Sequence, residues 1–265
     1  AHAVPVQVPV REALGFRWDL DELEKAITPK TKAIYINSPT NPSGGALTRA
    51  DLERIAEMAK ARNLWVFSDE AYEDVLFSGE HVSIASLPGM YERTIPIYTM
   101  SKTYAVTGVR VGYIAIKDKA MRARAAKVAL YTASNVCSIA QYGAIGALEG
   151  PQDCIEEFKT ELKIRRDLFY AGLKDVTKGA LSGNPPNGAF YAFVKIDPAW
   201  AASKGLDKGE SLSWTVVEYI IKHSRVGCVP GLDFGPASEG YIRFCTCRDR
   251  KELTGALESM RSVFA

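Results

Sequence analysis

The sequence lacks the features that mark membrane, secreted or nucleic-acid-binding proteins. It has no run of about eighteen apolar residues, and its opening AHAVPVQVPV alternates like a strand rather than resembling a signal peptide. Its 33 basic and 31 acidic residues give a formal net charge of +2, which indicates no surface suited to nucleic acid or an anionic bilayer. We therefore predict a cytoplasmic protein with no nucleic-acid partner and no membrane partner.

Cysteine and histidine are also scarce and poorly spaced for metal or disulfide chemistry. The five cysteines form no CxxC pair, and an odd count does not suit a disulfide framework. Cys245 and Cys247 stand in YIRFCTC at strand spacing, and we interpret them as small buried hydrophobic residues on one sheet face. His2, His81 and His223 have no partners at the spacing of a metal site, so we predict no metal.

The first half of the chain alternates strands and helices. The apolar run KAIYIN leads into the turn-rich SPTNPSGG and then into a helix whose Thr48 and Asp51 have the spacing of a capping box. The runs LWVFSDEAY, IPIYTM and VGYIAIK supply further strands. The recurring order of strand, helix and strand predicts a layered α/β sheet.

The second half has a different pattern. It is helical from about residue 120 to 176, with a break near Gly150 and Pro151, and then gives the strands FYAFVKI, RVGCV and YIRFCT. A helix around residues 214–223 and a last helix opened by Asp249 complete it. We predict a larger α/β domain over residues 1–150, followed over 151–265 by an interdomain helix and a smaller α+β domain.

Four segments carry the chemistry, and all but the last lie at or just after the end of a predicted strand, where open α/β sheets bind ligands. They are SPTNPSGG, VFSDEAY, TMSKTYAVTGVR and GYIRF. In order and context they resemble the class I/II aminotransferases, the pyridoxal phosphate enzymes of the aspartate aminotransferase superfamily. The segments LDELEKAITPKTKAI, NGAFYAFV and VPGLDFGP extend this resemblance over nearly the whole chain. It implies a three-layer α/β fold around a mostly parallel sheet. Residues 1–150 would then form the C-terminal portion of the cofactor-binding large domain.

The resemblance assigns the catalytic lysine and the phosphate-binding residues. Lys102 occupies the lysine position of S-K-x-x-x-x-x-G-x-R, which implies a Schiff base with the aldehyde of pyridoxal phosphate and later proton transfer. The cofactor phosphate calls for a guanidinium and hydroxyl donors. Arg110, Ser101 and Thr99 match those positions.

The cofactor ring also requires partners. Asp69 ends an apolar run, and a carboxylate opposite the pyridine nitrogen favours its protonation. Tyr72 follows in the family's D-x-x-Y pattern, which implies that its phenol donates to the ring oxygen and acts with Lys102 and Asp69 in catalysis. We interpret Glu70 and Glu73 as bystanders on the following loop.

Asn41 and Arg243 are the expected substrate ligands. By resemblance, Asn41 contacts the ring oxygen of the cofactor and the substrate carboxylate. Arg243 lies inside an otherwise apolar strand and matches the arginine that grips the substrate α-carboxylate bidentately. An arginine buried in such a strand requires an anionic partner.

The resemblance implies an aminotransferase that moves an amino group between an L-amino acid and a 2-oxo acid by a two-stage ping-pong scheme. Two alternatives stay open: a C–S lyase or decarboxylase of the same fold, and the aminotransferase-like sensor domain of a transcription regulator. Relatives carry an N-terminal segment with a phosphate loop and a stacking aromatic. We therefore expect this chain to be a fragment that binds cofactor poorly and transaminates little, and the full-length protein to be a homodimer.

Overall fold

The computed structural model describes residues 3–264, so the prediction made for His2 lies outside the described residues. These residues form two compact units. The first unit runs to Thr40 and continues over Gly45–Glu157, and the second consists of Asn41–Gly44 and the residues from Phe158 onward. The chain leaves the first unit inside a long helix, and the predicted boundary between residues 150 and 151 stays a prediction.

The elements are numbered in chain order. The strands of the first unit are β1 (Val10–Arg11), β2 (Arg17–Trp18), β3 (Ala33–Asn37), β4 (Trp65–Asp69), β5 (Thr94–Thr99) and β6 (Gly112–Ile114). Its helices are α1 (Leu20–Ala26), α2 (Arg49–Ala61), α3 (Met100–Thr103), α4 (Lys119–Ala133) and α5 (Ser138–Glu149). Helix α6 (Asp153–Thr177) continues into the second unit, which contains β7 (Leu181–Ser182), β8 (Tyr191–Ile196), α7 (Pro198–Ser203), α8 (Leu212–Ser224), β9 (Val229–Pro230), β10 (Tyr241–Cys245) and α9 (Arg250–Arg261).

The main sheet of the first unit has the order β3-β4-β5-β6 among the described residues. Strands β3, β4 and β5 run parallel, and β6 pairs antiparallel with β5. Along β3, Ile34 and Ile36 are buried in a core shared with α1 and α2, whereas Tyr35 between them is 57% exposed. This sheet confirms the predicted α/β class, and its register places Tyr35 and Asp69 on the opposite face.

Helix α2 begins as its sequence predicts. The Thr48 hydroxyl accepts a hydrogen bond from the Asp51 amide, and the Asp51 carboxylate accepts one from the Thr48 amide at 2.8 Å. Arg17 also donates to both oxygens of Asp51, at 2.7 and 2.9 Å. Burial raises the pKa of Asp51, but the hydrogen bonds from Thr48 and Arg17 outweigh burial and set it below its ordinary value.

The second unit is built around an antiparallel sheet of order β7-β8-β10-β9 within the described residues. Strand β10 pairs along its whole length with β8, placing Arg243 opposite Phe193. Helices α6, α8 and α9 contribute Phe169, Ile220 and Leu257 to the core of this unit. The second unit is therefore the smaller α+β part that the sequence predicts.

Two features of the fold differ from expectation. The helical stretch after residue 120 is also interrupted at residues 134–137, and α4 has no buried residue while α5 buries Ala140 alone among its described residues. Cys245 and Cys247 are both exposed, so their interpretation as buried hydrophobic residues was wrong. The strand ends at Cys245, and the chain beyond it does not continue the sheet.

Across residues 3–264 no helix has the length and apolar character needed to cross a membrane.

Candidate active site

Asp69 is positioned by the end of strand β4. Its Oδ2 accepts a hydrogen bond from the Tyr35 hydroxyl at 2.8 Å, and its Oδ1 accepts one from the Ala71 amide at 3.2 Å. Partial desolvation of the hydroxyl, together with its hydrogen bond to Asp69 and the negative charge there, raises the pKa of Tyr35. Tyr35 is not among the predicted site residues, although its alternation with Ile34 and Ile36 in KAIYIN indicates a side chain on the opposite face.

Tyr72 and Lys102 lie close together. Tyr72 is buried in the turn that follows Asp69, and the Lys102 Nζ lies 5.9 Å from the centre of its ring. Lys102 is half-buried on the short helix α3, which begins directly after β5. The sheet therefore brings the predicted lysine, phenol and carboxylate to the same end of neighbouring strands β4 and β5.

A hydrogen bond ties the Tyr72 turn to the Lys102 helix. The Thr103 hydroxyl donates to Asp74 Oδ2 at 2.7 Å, and Thr103 is buried. Asp74 lies two residues after Tyr72, and Thr103 directly follows Lys102. This contact fixes the separation of the two predicted catalytic side chains, and no spacing in the sequence indicated it.

Glu70 is buried, with 2% of its surface exposed, and the interpretation that it takes no part in cofactor binding stays a prediction. Its oxygens accept hydrogen bonds from Ser83 at 2.7 Å and from His81 Nε2 at 3.0 Å. Burial raises the pKa of Glu70, but these hydrogen bonds outweigh burial and set it below its ordinary value. The spacing of residues in the sequence did not predict this contact of His81.

Glu73 lies near the same network. Burial, and then the negative charge of Asp74, raise its pKa to about 7. One ligand atom from each of Glu70, Glu73 and His81 falls within 4.8 Å of the others. Because both oxygens of Glu70 accept protein hydrogen bonds, hydrogen bonding accounts for this convergence.

The predicted phosphate ligands are in three different environments. Arg110 is exposed, has a left-handed backbone (φ 58°) and donates from Nη1 to the Thr107 carbonyl at 2.9 Å. Ser101 is buried. The Thr99 hydroxyl caps α3 by accepting from the Ser101 amide at 3.2 Å. Cap geometry thus explains Thr99, and its role toward a phosphate stays a prediction.

The second unit brings together the two predicted substrate ligands. Arg243 Nη1 donates to Asn41 Oδ1 at 2.9 Å, and the guanidinium carbon lies 4.6 Å from the Tyr191 ring centre and 4.9 Å from that of Phe234. Arg243 Nε is buried without a hydrogen-bond partner among the described residues. A buried guanidinium N–H left unpaired is a cost that an anionic ligand removes.

Close backbone packing holds Asn41 in the second unit. The Gly188 amide donates to the Gly44 carbonyl at 2.9 Å. Gly44 has a positive φ of 69°, and a Cβ there would lie 2.4 Å from the Gly188 oxygen and from the Pro186 Cβ. Only glycine fits at this position. The glycine of SPTNPSGG therefore places Asn41 beside Arg243.

The fold is an α/β protein with a mostly parallel sheet and a smaller α+β part, and comparison identifies the family. The chain belongs to the aminotransferase class I and II family, whose family model matches residues 1–260. It is 38% identical over 262 residues to aromatic-amino-acid aminotransferase 2 of Thermococcus litoralis, covering 98% of this chain and 64% of that protein. It is also 38% identical to an aspartate aminotransferase of Pyrococcus abyssi over the same shares of the two chains.

Solved structures agree with this assignment. The aromatic aminotransferase of Pyrococcus horikoshii matches with a TM-score of 0.87 at 39% identity, covering 98% of this chain and 66% of that chain. An aspartate aminotransferase of Thermus thermophilus with maleate matches with a TM-score of 0.83 at 30% identity, covering 97% and 63%. The chain thus spans just under two thirds of the length of the proteins it matches.

Proposed function

We propose that the protein is a pyridoxal phosphate-dependent aminotransferase that moves an amino group between an L-amino acid and a 2-oxo acid. The observation that carries the proposal is the placement of Asp69, Tyr72 and Lys102 at one end of the sheet, with the lysine amine 5.9 Å from the Tyr72 ring. Family membership over residues 1–260 supports it. Relatives named as aminotransferases do not favour the lyase, decarboxylase or sensor interpretation.

The donor set of the first unit fits pyridoxal phosphate. Asp69 offers a carboxylate, which Tyr35 orients, to the pyridine nitrogen; Lys102 offers an amine to the aldehyde; and Tyr72 offers a phenol to the ring oxygen. Arg110 is the exposed cation for the phosphate, with Ser101 and Thr99 as hydroxyl donors. When bound, the cofactor supplies an aldehyde that carries amino groups and a ring that withdraws electrons from the substrate carbon.

The second unit fits the carboxylate of an amino acid or oxo acid. Arg243 has a buried Nε without a hydrogen-bond partner among the described residues, and its Nη1 donates a hydrogen bond to Asn41 Oδ1. The rings of Tyr191 and Phe234 hold the guanidinium by cation–π contact, which keeps the fork rigid before substrate arrives. We propose that the carboxylate binds the guanidinium bidentately and that Asn41 donates its amide N–H to it.

Lys102 moves the proton in this proposal. Its amine would take a proton from the substrate α-carbon and deliver it to the carbon that the cofactor's aldehyde supplies. Tyr72 holds the amine in place, and the Asp74–Thr103 hydrogen bond fixes the helical turn that carries it. The Asp69 carboxylate would hold a proton on the ring nitrogen, and the hydrogen bond from Tyr35 restricts the rotation of that carboxylate.

An assay of amino-group transfer tests the proposal. The full-length protein is incubated with pyridoxal phosphate, single amino acids and 2-oxoglutarate, and glutamate is measured alongside pyruvate and ammonia. We expect glutamate from at least one amino acid, and a loss of at least about 10²-fold in Lys102→Ala, which lacks the proton-transfer group. Release of pyruvate or ammonia without glutamate would instead support a lyase. Absence of both at full cofactor occupancy would reject an enzymatic role.

Two further proposals concern the whole protein rather than this site. We propose that the full-length protein is a homodimer and that it acts in the cytoplasm, as the resemblance and the composition predicted. Sedimentation of the full-length protein tests the first proposal, because an active monomer would contradict it. Fractionation of the source cells tests the second.

A further inference from the structure

The described residues include one close pair of exposed thiols. Cys245 ends β10 and Cys247 follows it by two residues, and their Sγ atoms lie 3.1 Å apart. Both side chains are exposed, whereas Cys154 and Cys228 are partly buried. Burial raises the pKa of Cys228 to about 12, which keeps that thiol protonated.

The backbone between the two thiols is held in place. Thr246 is fully buried at 0% exposure, and both its amide and its hydroxyl donate to the Phe190 carbonyl, at 2.9 and 3.0 Å. Arg165 donates to the Cys247 carbonyl at 2.7 Å. These anchors leave the two cysteine side chains on the exposed side of the chain with their sulfur atoms in contact.

We propose that Cys245 and Cys247 form a site of reversible oxidation, at which a peroxide converts the two thiols into an intramolecular disulfide. The contact with Cys245, together with burial, raises the pKa of Cys247, so the Cys245 sulfur is the attacking thiolate and Cys247 stays protonated at this step. The Cys245 thiolate attacks a peroxide oxygen, breaks the O–O bond and becomes a sulfenic acid, and the second oxygen leaves as hydroxide. The other sulfur then attacks the sulfenic sulfur and releases water. For hydrogen peroxide, two thiols and one peroxide give one disulfide and two waters, so two electrons pass from sulfur to oxygen.

Geometry and exposure explain why the disulfide is reversible. The sulfur atoms need to approach by only about 1 Å, since an S–S bond is about 2.05 Å long. Both cysteines are exposed. Exposed disulfides have higher reduction potentials than buried structural ones, so cellular thiols reduce them readily.

Peptide mapping tests the proposal without cofactor or substrate, so its outcome is independent of the proposed function. The reduced chain is treated with equimolar hydrogen peroxide, alkylated with N-ethylmaleimide and digested with trypsin. Cleavage after Arg243 and Arg248 releases residues 244–248 with both cysteines. We expect this peptide without alkylation and lighter than its reduced form by two hydrogens, and dithiothreitol should restore two alkylated thiols.

Matched variants make the result specific. Cys245→Ser and Cys247→Ser should each abolish the internal disulfide, whereas Cys228→Ser should leave it unchanged, and thermal unfolding confirms that each variant is folded. Cys137 is exposed, and backbone hydrogen bonds at the start of α5 lower its pKa, so its oxidation shows that the peroxide has reacted with the chain. The proposal is overturned if both thiols of residues 244–248 are alkylated when Cys137 is oxidised, or if they appear only as sulfinic acids or intermolecular disulfides.

Discussion

The Asp69 carboxylate is oriented by hydrogen bonds from its neighbours. Tyr35 and the Ala71 amide donate to its two oxygens, and strand pairing opposite Asn37 fixes its backbone. Motif matching predicted the aspartate but not the tyrosine, because the residue that orients Asp69 comes from a strand 34 positions earlier. Only the pairing of β3 with β4 brings the two together.

Changing Asp69 and Tyr35 separates charge from orientation. Asp69→Ala removes a charge-assisted hydrogen bond of about 1.5–3 kcal/mol and should weaken pyridoxal phosphate binding by about 10- to 100-fold. Tyr35→Phe removes one neutral donor, so we expect a smaller loss. Absorbance titration of the cofactor measures both, with the exposed Glu80→Gln as control. Unchanged affinity and turnover in Asp69→Ala would contradict its assignment.

Glu73 predicts a pH dependence of stability. Its folded pKa of about 7 lies above the ordinary value of 4.5, so the folded state binds more protons than the unfolded state between these values. Stability therefore falls as pH rises through this window. The negative charges of Asp74 and Glu70 raise the pKa of Glu73 further, and the interaction with His81 lowers it.

The variant Glu73→Gln should remove this slope. We expect the free energy of unfolding of Glu73→Gln to exceed that of the wild type by about 1–3 kcal/mol at pH 8, with the difference vanishing below about pH 5. Urea unfolding across this range measures the difference. Glu57→Gln, on the exposed face of α2, is the matched control. A constant difference at every pH would show that Glu73 is not the titrating group.

At the scale of elements, the sequence predicted what depends on local pattern. The capping box and buried face of α2, the strand KAIYIN and the strand YIRFCT all follow from spacing and hydrophobic alternation. It could not predict contacts between distant segments, such as Asp74 with Thr103 or Arg243 with Asn41. It also mistook Cys245 and Cys247, because the alternation puts them in phase with Arg243, whereas Ile242, Phe244 and Thr246 occupy the buried positions.

The hydrogen bond between Asp74 and Thr103 should couple the Tyr72 turn to α3. A partly buried hydrogen bond to a charged group contributes about 1.5–3 kcal/mol, so a double-mutant cycle with Asp74→Ala and Thr103→Val should show coupling of at least about 1 kcal/mol in unfolding free energy. The same variants should lower turnover more than they raise KM, because they displace the lysine. The contact would have no positioning role if the two changes in unfolding free energy were additive and turnover fell no more than in the control Glu80→Ala.

At the scale of the whole molecule, α4 and α5 present an unusual amount of apolar surface. Ile139 is 82% exposed, and Tyr131 and Tyr142 are nearly as exposed. Beside them a groove of about 680 Å³ lies next to β6 and is lined by residues that include Tyr113 and Ile145. Large apolar side chains exposed on two consecutive helices favour association.

This surface predicts measurable association of the 265-residue chain. We expect 8-anilinonaphthalene-1-sulfonate to bind the chain, and sedimentation to depend on protein concentration. Ile139→Ser and Tyr142→Ser should reduce both effects, whereas Val4→Ser, at an exposed apolar residue elsewhere, should not. A chain that stays monomeric at all concentrations and does not bind the dye would contradict this expectation.

Mapping the lysine that binds pyridoxal phosphate tests the central claim most directly. The protein is mixed with the cofactor, reduced with borohydride and digested with trypsin, where modification at Lys102 blocks cleavage and yields residues 94–110. We expect the pyridoxyl group on Lys102, its loss in Lys102→Ala, and its retention in Lys117→Ala, which changes an exposed lysine paired with Glu92. A pyridoxyl group mapped to another lysine, or retained at the wild-type level in Lys102→Ala, would contradict the assignment of this site.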